Sequence, residues 1–316
     1  MPEGTIARKE HEKMTNEIEL VLFEKAPVTV LTVDGAGKFL ARLLAGDVKK
    51  IPEGGVVRSV MMNATGGIIG VPWVARTGNT SYELILAADN ADAEQAWVRQ
   101  VSVAFDAEVG CESLAGFYFV GKLPVAEIAL KPQTMVKASG LRFIDMGWMS
   151  LAAGPKEAID ALYGNLLAAG AKKGEQTGFD ALRIFAREPA MGLELDEGAS
   201  PLETGLEEAL DFSDPERIFI GRALTEARAA SGKHLRMQLV AFDVAFDPSL
   251  LIEVPSVVID DVDYPLTSIA RVPEGPFTVG LVRLPLSVKI GDRVKTVVRT
   301  DPRVVCNGAL VVDRQI

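Results

Sequence analysis

Cysteine and histidine are nearly missing from these 316 residues: Cys111 and Cys306 stand far apart, and His11 and His234 are the only histidines. Neither cysteine belongs to a CxxC or Cys/His cluster, so spacing argues against a disulfide framework and a zinc site, and no metal is expected. Such sparing cysteine use suits a reducing cytoplasm. Basic charge is also in deficit, with 33 lysines and arginines against 43 aspartates and glutamates, a net −10 with both signs scattered. Without a basic stripe to track phosphates, nucleic acid is not an expected partner. Long apolar runs are missing as well. The longest uncharged stretch, between Arg58 and Arg76, contains Asn63, Thr65, glycines and Pro72. It falls short of the roughly 20 apolar residues of a spanning helix, so no membrane segment is expected. The charged segment from Met1 to Lys13 has no apolar core and reads as a frayed lead-in rather than a signal peptide.

What is present is enough apolar material, 48% of the chain, to build a large core and two or three domains. Small-molecule chemistry is the expectation that remains, with a homodimer as a further expectation. Residues 18–33 read as strand: Ile18 to Leu22 alternates and Val28 to Val33 is β-branched. Phe39, Leu40, Leu43 and Leu44 then share a helical face before Gly46 and Asp47-Val48. Val56–Met62, Ile68–Ala75 and Tyr82–Ala87, separated by glycine- and asparagine-rich turns, predict an antiparallel meander. Helices are predicted over Ala91–Phe105 and over Pro155–Ala169, the second burying Ile159, Leu162, Tyr163 and Leu166 and ending at Gly170. Beyond residue 234, short β-branched runs cut by Pro255, Pro265, Pro273, Pro276, Pro285 and Gly291 predict a small barrel or sandwich.

Ser200-Pro201-Leu202-Glu203 is an S-x-x-E capping box with proline at the first helical position, which by itself means a helix start. Its surroundings say more. Met191-Gly192-Leu193-Glu194-Leu195-Asp196 precedes it, Gly205-Leu206 follows it, and Phe219-Ile220-Gly221-Arg222-Ala223-Leu224 comes next. Together these resemble the segment that marks the glycine cleavage T-protein family, the tetrahydrofolate-dependent aminomethyltransferases and related folate-dependent demethylases. The early helix segment Asp34 to Val48, the strand and asparagine turn of Ser59 to Ile69 with Gly66-Gly67, and Val288 to Asp292 resemble it too. The resemblance spans about residues 28–316. It implies an α+β fold: antiparallel sheets with flanking helices in two intertwined subdomains around a central cavity, plus a C-terminal β-barrel. The expected division is 1–50 with 112–228, an inserted 51–111, and a barrel over 229–316.

The departures from the family are as informative. Where its paired aspartates lie beside the reactive folate nitrogen, this chain has Gly70 and Val71, which can neither bond through a side chain nor move a proton. Trp148 stands where the family anchors the pterin with a glutamate, and Phe179 where it has an arginine. Aromatic stacking on the ring by Trp73, Trp148 and Phe179 is one reading of these residues, and ordinary core is the other. Asn63, Arg58 and Arg183 join them as cofactor-binding candidates, the arginines as bidentate carboxylate partners. Glu203, Asp180 and Asp145 are the candidate acids and bases, and Glu112 is a further polar candidate for the cavity. Cys111 has no base near it in sequence, and Gly66-Gly67 lacks a phosphate-loop pattern. The function this implies is transfer of a one-carbon group (methyl, methylene or formaldehyde-level) from a small substrate, with tetrahydrofolate as acceptor. The alternatives are a cofactor-independent lyase or demethylase of an apolar or aromatic substrate, and a non-catalytic regulatory or assembly protein. The branch of the family devoted to iron–sulfur work carries a cysteine motif where this chain has Arg217 to Arg222, without cysteine.

Overall fold

A computed structural model describes residues 19–313 except 36, 87, 125–127, 274 and 305. The charged lead-in and His11 lie outside the described residues. Strand β1, Val21–Asp34, is the spine of the body. Its alternation sends Val28 and Val30 to one face and Leu31 and Val33 to the other, where helix α1, Gly37–Leu43, covers them with Phe39, Leu40 and Leu43. The meander follows as β2 (Val56–Arg58), β3 (Met61–Met62), β4 (Ile68–Gly70), β5 (Trp73–Arg76) and β6 (Ser81–Leu86). Helix α2, Ala91–Ser102, ends in a single 3-10 turn through Phe105. Then come β7 (Val109–Val120), β8 (Met135–Ala138), β9 (Leu141–Asp145), β10 (Ser150–Gly154), α3 (Lys156–Ala168), β11 (Lys172–Lys173) and α4 (Gln176–Phe185). Helix α3 buries Ile159, Tyr163 and Leu166, and the chain leaves it through Gly170 at φ +102°.

The large sheet runs β2-β5-β6-β1-β7-β10-β9-β8, with β11 added parallel to β1 and β3–β4 as a separate ribbon. Strands β2, β5 and β6, from the segment 51–111, therefore pair into the same sheet as β1 and β7. Its two edges meet: Gly55 bridges Thr134, the Val56 N–H donates to the Gln133 carbonyl at 2.8 Å, and the Met135 N–H to the Gly54 carbonyl at 2.9 Å. The sheet thus wraps almost into a barrel, which removes an aggregation-prone edge. Its interior holds Val28, Val30, Val56, Ala75, Ile85, Ile144, Leu151 and Ala153.

Helix α5, Arg222–Ser231, spans residue 228 and leads to β12 (Leu235–Phe242), β13 (Ser256–Ile259), β14 (Val262–Arg271), β15 (Thr278–Pro285), β16 (Arg293–Val297) and β17 (Gly308–Val312). These close into a six-stranded barrel, β12-β15-β14-β13-β16-β17, around Val240, Phe242, Val257, Val282, Leu284 and Val311. The expected α+β architecture, with antiparallel body and C-terminal barrel, is the one found. The capping box at Ser200 starts only a 3-10 turn, Pro201–Glu203, and not a longer helix. Thr204 bonds back through Oγ1 to the Ser200 carbonyl at 3.1 Å, and Gly205 turns the chain at φ +74°. A Cβ on Gly205 would sit 2.7 Å from the Met237 methyl, so this turn is where the body lies tightly on the barrel. Among the described residues no helix is long and apolar enough to cross a membrane.

One end of the sheet interior is closed by charge. Glu83, Glu112, Lys137 and Arg142 stand two residues from Ile85, Leu114, Met135 and Ile144 and so share their inward face. Arg142 grips Glu83 through Nε at 2.9 Å and Nη2 at 3.1 Å and reaches Glu112 at 2.7 Å, while Lys137 bonds Glu83 at 2.6 Å. Burial pushes the Glu83 carboxyl up, but the hydrogen bonds from Arg142 and Lys137 outweigh it and hold the group below the usual carboxylate range. The stability this gives is present above that range and is lost as pH falls. Arg142→Met, which strands the 3%-exposed Glu83 with a weaker set of partners, is expected to cost about 3–5 kcal/mol. Urea unfolding at neutral pH checks this, and adding Glu83→Gln should recover most of the loss.

Candidate functional site

Toward the other end of β1 the interior changes character. Thr32 lies opposite Glu83, whereas Leu22 lies opposite Phe119. Between Phe117 and Phe119, which pack outward against α3, alternation turns Tyr118 inward, paired across to Leu151. Arg58 and Trp73 face each other across β2 and β5, two residues along from inward-facing Val56 and Ala75 and so on the same face. Phe179 comes in from α4. Its ring is 5.5 Å from that of Phe23, 5.6 Å from Tyr118 and 5.8 Å from Trp148, mostly edge-on. The Trp148 Nε1–H is buried without a hydrogen-bond partner among the described residues.

The carboxylate of this region is Glu188, and the end of α4 explains its position. The Arg187 N–H bonds the Ile184 carbonyl and the Glu188 N–H the Arg183 carbonyl, each at 2.9 Å, with Arg187 left-handed at φ +53°. This is a Schellman ending, which reverses the chain and points residue 188 back over the helix. Arg58 Nη1 then donates to Glu188 Oε2 at 2.5 Å, with both side chains 16% exposed. Arg183 holds the Glu188 carbonyl at 2.8 Å and the fully buried Glu194 carboxylate at 3.1 Å, and it donates to Ser268 of the barrel at 2.6 Å. Ser268 in turn donates to Glu194 at 2.6 Å. Burial pushes the Glu188 carboxyl above its usual range, and Arg58 and Arg183 offset only part of that. Burial, then the charges of Glu188 and Asp89, raise the Tyr118 hydroxyl to about 12, so it stays a neutral donor.

Of the residues singled out from sequence, the structure gathers Arg58, Trp73, Trp148, Phe179 and Arg183 here. It places the others in local work. Asp145 accepts from the Gln133 and Gly147 N–H groups at 3.0 and 2.8 Å and shapes the turn before Trp148. Asn63 closes its own turn through the Thr65 and Gly67 N–H groups and donates to the Glu197 carbonyl at 3.0 Å. Asp180 takes a bond from Gln176 one helical turn away at 3.0 Å. Glu203, half-buried in the 3-10 turn against the barrel, has no side-chain bond to a described residue. Glu112 belongs to the charge cluster at the far end.

Positions 70 and 71 carry no carboxylate, yet one lies beside them. A Cβ on Gly70 would fall 2.4 Å from Glu94 Oε1, and the Val71 N–H donates to that oxygen at 3.1 Å. The space a side chain at 70 would fill is thus taken by a buried glutamate of α2, 0% exposed. Glu188, Tyr118 and Glu94 went unread in the sequence. Tyr118 had a signal, an inward slot between two outward phenylalanines, and Glu188 and Glu94 had none. Two surface cavities lie elsewhere: about 450 Å³ beside Arg42, Ile218 and Leu224, and about 390 Å³ along Leu251–Pro255 and Leu266–Ile269. Both are open grooves on the surface.

Because Glu188 is bonded to Arg58, which faces Trp73 across the strand pair, its ionisation is readable. Trp73 and Trp148 emission is expected to titrate with a midpoint above about 4.3, the ordinary glutamate value. In Glu188→Gln the transition disappears, and a midpoint at the ordinary value in the wild type would contradict the burial described.

No family model matches the sequence. Among solved structures, the glycine cleavage system aminomethyltransferase T from Bartonella henselae superposes with a TM-score of 0.80, covering 96% of this chain and 88% of that one at 17% identity. At that identity the likeness establishes architecture, so the chain has the fold of the glycine cleavage aminomethyltransferase.

Proposed function

We propose that the protein acts on a one-carbon group of a small substrate with an apolar or aromatic body, bound in the hole of the large sheet. One-carbon chemistry is suggested by the fold, shared with an aminomethyltransferase. The observation that carries the choice of site is the Arg58–Glu188 pair at 2.5 Å beside Trp73, Tyr118, Trp148 and Phe179. A carboxyl held above its usual range is suited to give a proton at neutral pH.

Loss of formaldehyde from a hydroxymethyl group fits these residues and needs no oxidant. Protonated Glu188 gives its proton to the leaving atom as that atom's bond to carbon breaks. The hydroxyl proton passes to the carboxylate as the C=O of formaldehyde forms, which leaves Glu188 protonated again. The aromatic walls exclude water and hold the substrate body, and Arg183 fixes the Glu188 backbone.

Tetrahydrofolate as acceptor is the second reading, favoured by the fold and by flat walls on which a pterin can stack. The polar residues do not fit it. A pterin edge presents paired N–H donors and wants a carboxylate. Position 148 instead offers an N–H donor with no partner among the described residues, Gly70 and Val71 have no acid, and one oxygen of Glu188 is already on Arg58. No step is therefore drawn through folate.

The test is formaldehyde release from hydroxymethyl-substituted aromatic amides, with and without a carboxylate on the ring, alongside calorimetry with tetrahydrofolate. Release above the buffer rate is expected, falling at least about 100-fold in Glu188→Gln, with tetrahydrofolate binding no tighter than about 1 mM. Micromolar tetrahydrofolate binding would move the assignment to the second reading, and no release across the set would end the first.

A further inference from the structure

We infer that Arg58 is the seat for a carboxylate of the ligand and that Glu188 fills it as an internal stand-in, so that the hole takes a small monocarboxylate with an aromatic or flat apolar body. This rests on the hole being the working site and adds the class of molecule that enters it.

Charge matching comes first. Arg183 is committed: its Nη atoms hold the buried Glu194 carboxylate, Ser268 and the Glu188 carbonyl. Arg58 has a different partner, the side chain of a residue just past the end of a helix, which meets its guanidinium at Nη1. A guanidinium fork is shaped to take both oxygens of a carboxylate side by side, and an incoming one can do so in place of Glu188. Since one carboxylate replaces another on the guanidinium, a monoanion leaves the charge of the pair unchanged, and a dianion such as a phosphate ester adds one negative charge.

The surroundings define the body of the ligand. Trp73 lies directly across the strand pair from Arg58, and Tyr118, Phe179 and Trp148 form a contiguous aromatic surface. Two neutral donors face the same interior. These are the Tyr118 hydroxyl and the buried Trp148 Nε1–H, which has no partner among the described residues, so oxygen acceptors on the ligand find partners.

The exchange has a proton consequence. The groups facing Glu188 are Arg58 from β2, Arg183 from α4 and Tyr118 from β7, with Glu194 and Ser268 of the barrel behind Arg183. Once the ligand takes Arg58, Glu188 keeps its burial and loses its nearest cation, and both effects favour the protonated form. The proton comes from solvent. Ligand binding itself thus arms Glu188 as the acid that the one-carbon step requires.

Calorimetry with benzoate, run at pH 7 in phosphate and in Tris so that the buffer's ionisation heat reveals linked protons, tests this on the intact protein. The expected result is benzoate binding with uptake approaching about one proton per ligand. Benzamide, the same ring without charge, should bind at least about tenfold more weakly. Glu188→Gln should keep or tighten benzoate binding and abolish the proton uptake, Arg58→Gln should lose binding, and Arg58→Lys should restore only part of it. Equal affinity for benzamide, binding without proton uptake, or no binding by either the wild type or Glu188→Gln overturns the inference. Formaldehyde release separates the two claims: benzoate binding without release removes the reaction and keeps the seat, and release without benzoate binding does the reverse.

Discussion

One strand serves two cores, and the rest of the molecule follows from that. The 14 residues of β1 pair with β6 on one side and β7 on the other, sending Leu31 and Val33 out to α1 and Val28 and Val30 in toward the hole. Because side chains alternate strictly along a strand, its register decides what lines the interior: Glu83 through Thr32 at one end, and the neighbourhood of Tyr118 at the other. Closure through Gly55 and Thr134 then gives that interior two ends, with an apolar cluster between them. A one-residue slip in β1 would exchange hole and core.

The interior carries more charge than a hydrophobic core should, and each buried acid described here has a cation or an N–H donor in contact. Glu83 has Arg142 and Lys137, Glu188 has Arg58, Glu194 has Arg183, and Glu94 has the Val71 N–H. Desolvation makes such groups costly unless matched, so their pairing reads as specification of geometry more than as a source of stability. The Glu83 group is over-matched and held ionised; Glu188 is under-matched and holds its proton more readily. Under the proposed function, that contrast makes one end of the interior a plug and the other the place for proton transfer.

Much of the fold was legible because period and punctuation are local. The β-branched run at Val28–Val33, the amphipathic face of Ile159, Tyr163 and Leu166, and the proline-cut strands after residue 234 each announce their element. The motif at Ser200 was visible too, though its structural sense is contact between body and barrel at Gly205 and Met237. The site was only half legible. Arg58, Trp73, Phe179 and Arg183 stand on regular elements, where alternation or helical facing brings them inward, and Trp148 sits in the short turn between β9 and β10. Glu188 depends on Arg187 adopting a left-handed turn that favours glycine, and Glu94 on a tertiary approach of α2 to Gly70. Neither leaves a periodic trace. Asp145 and Asn63, conversely, are turn-formers, and a short polar side chain in a turn looks the same in sequence whether it binds a ligand or its own backbone.

The central claim is that binding happens in the hole, on Arg58, and not in the surface grooves. A crystal structure of the protein grown with benzoate tests it most directly. The account predicts density for the ring among Trp73, Tyr118, Trp148 and Phe179, its carboxylate on the Arg58 guanidinium and Glu188 turned away from it. Density confined to the groove along Leu251–Pro255 or to the cavity beside Ile218, with the Arg58–Glu188 bond intact, would contradict it.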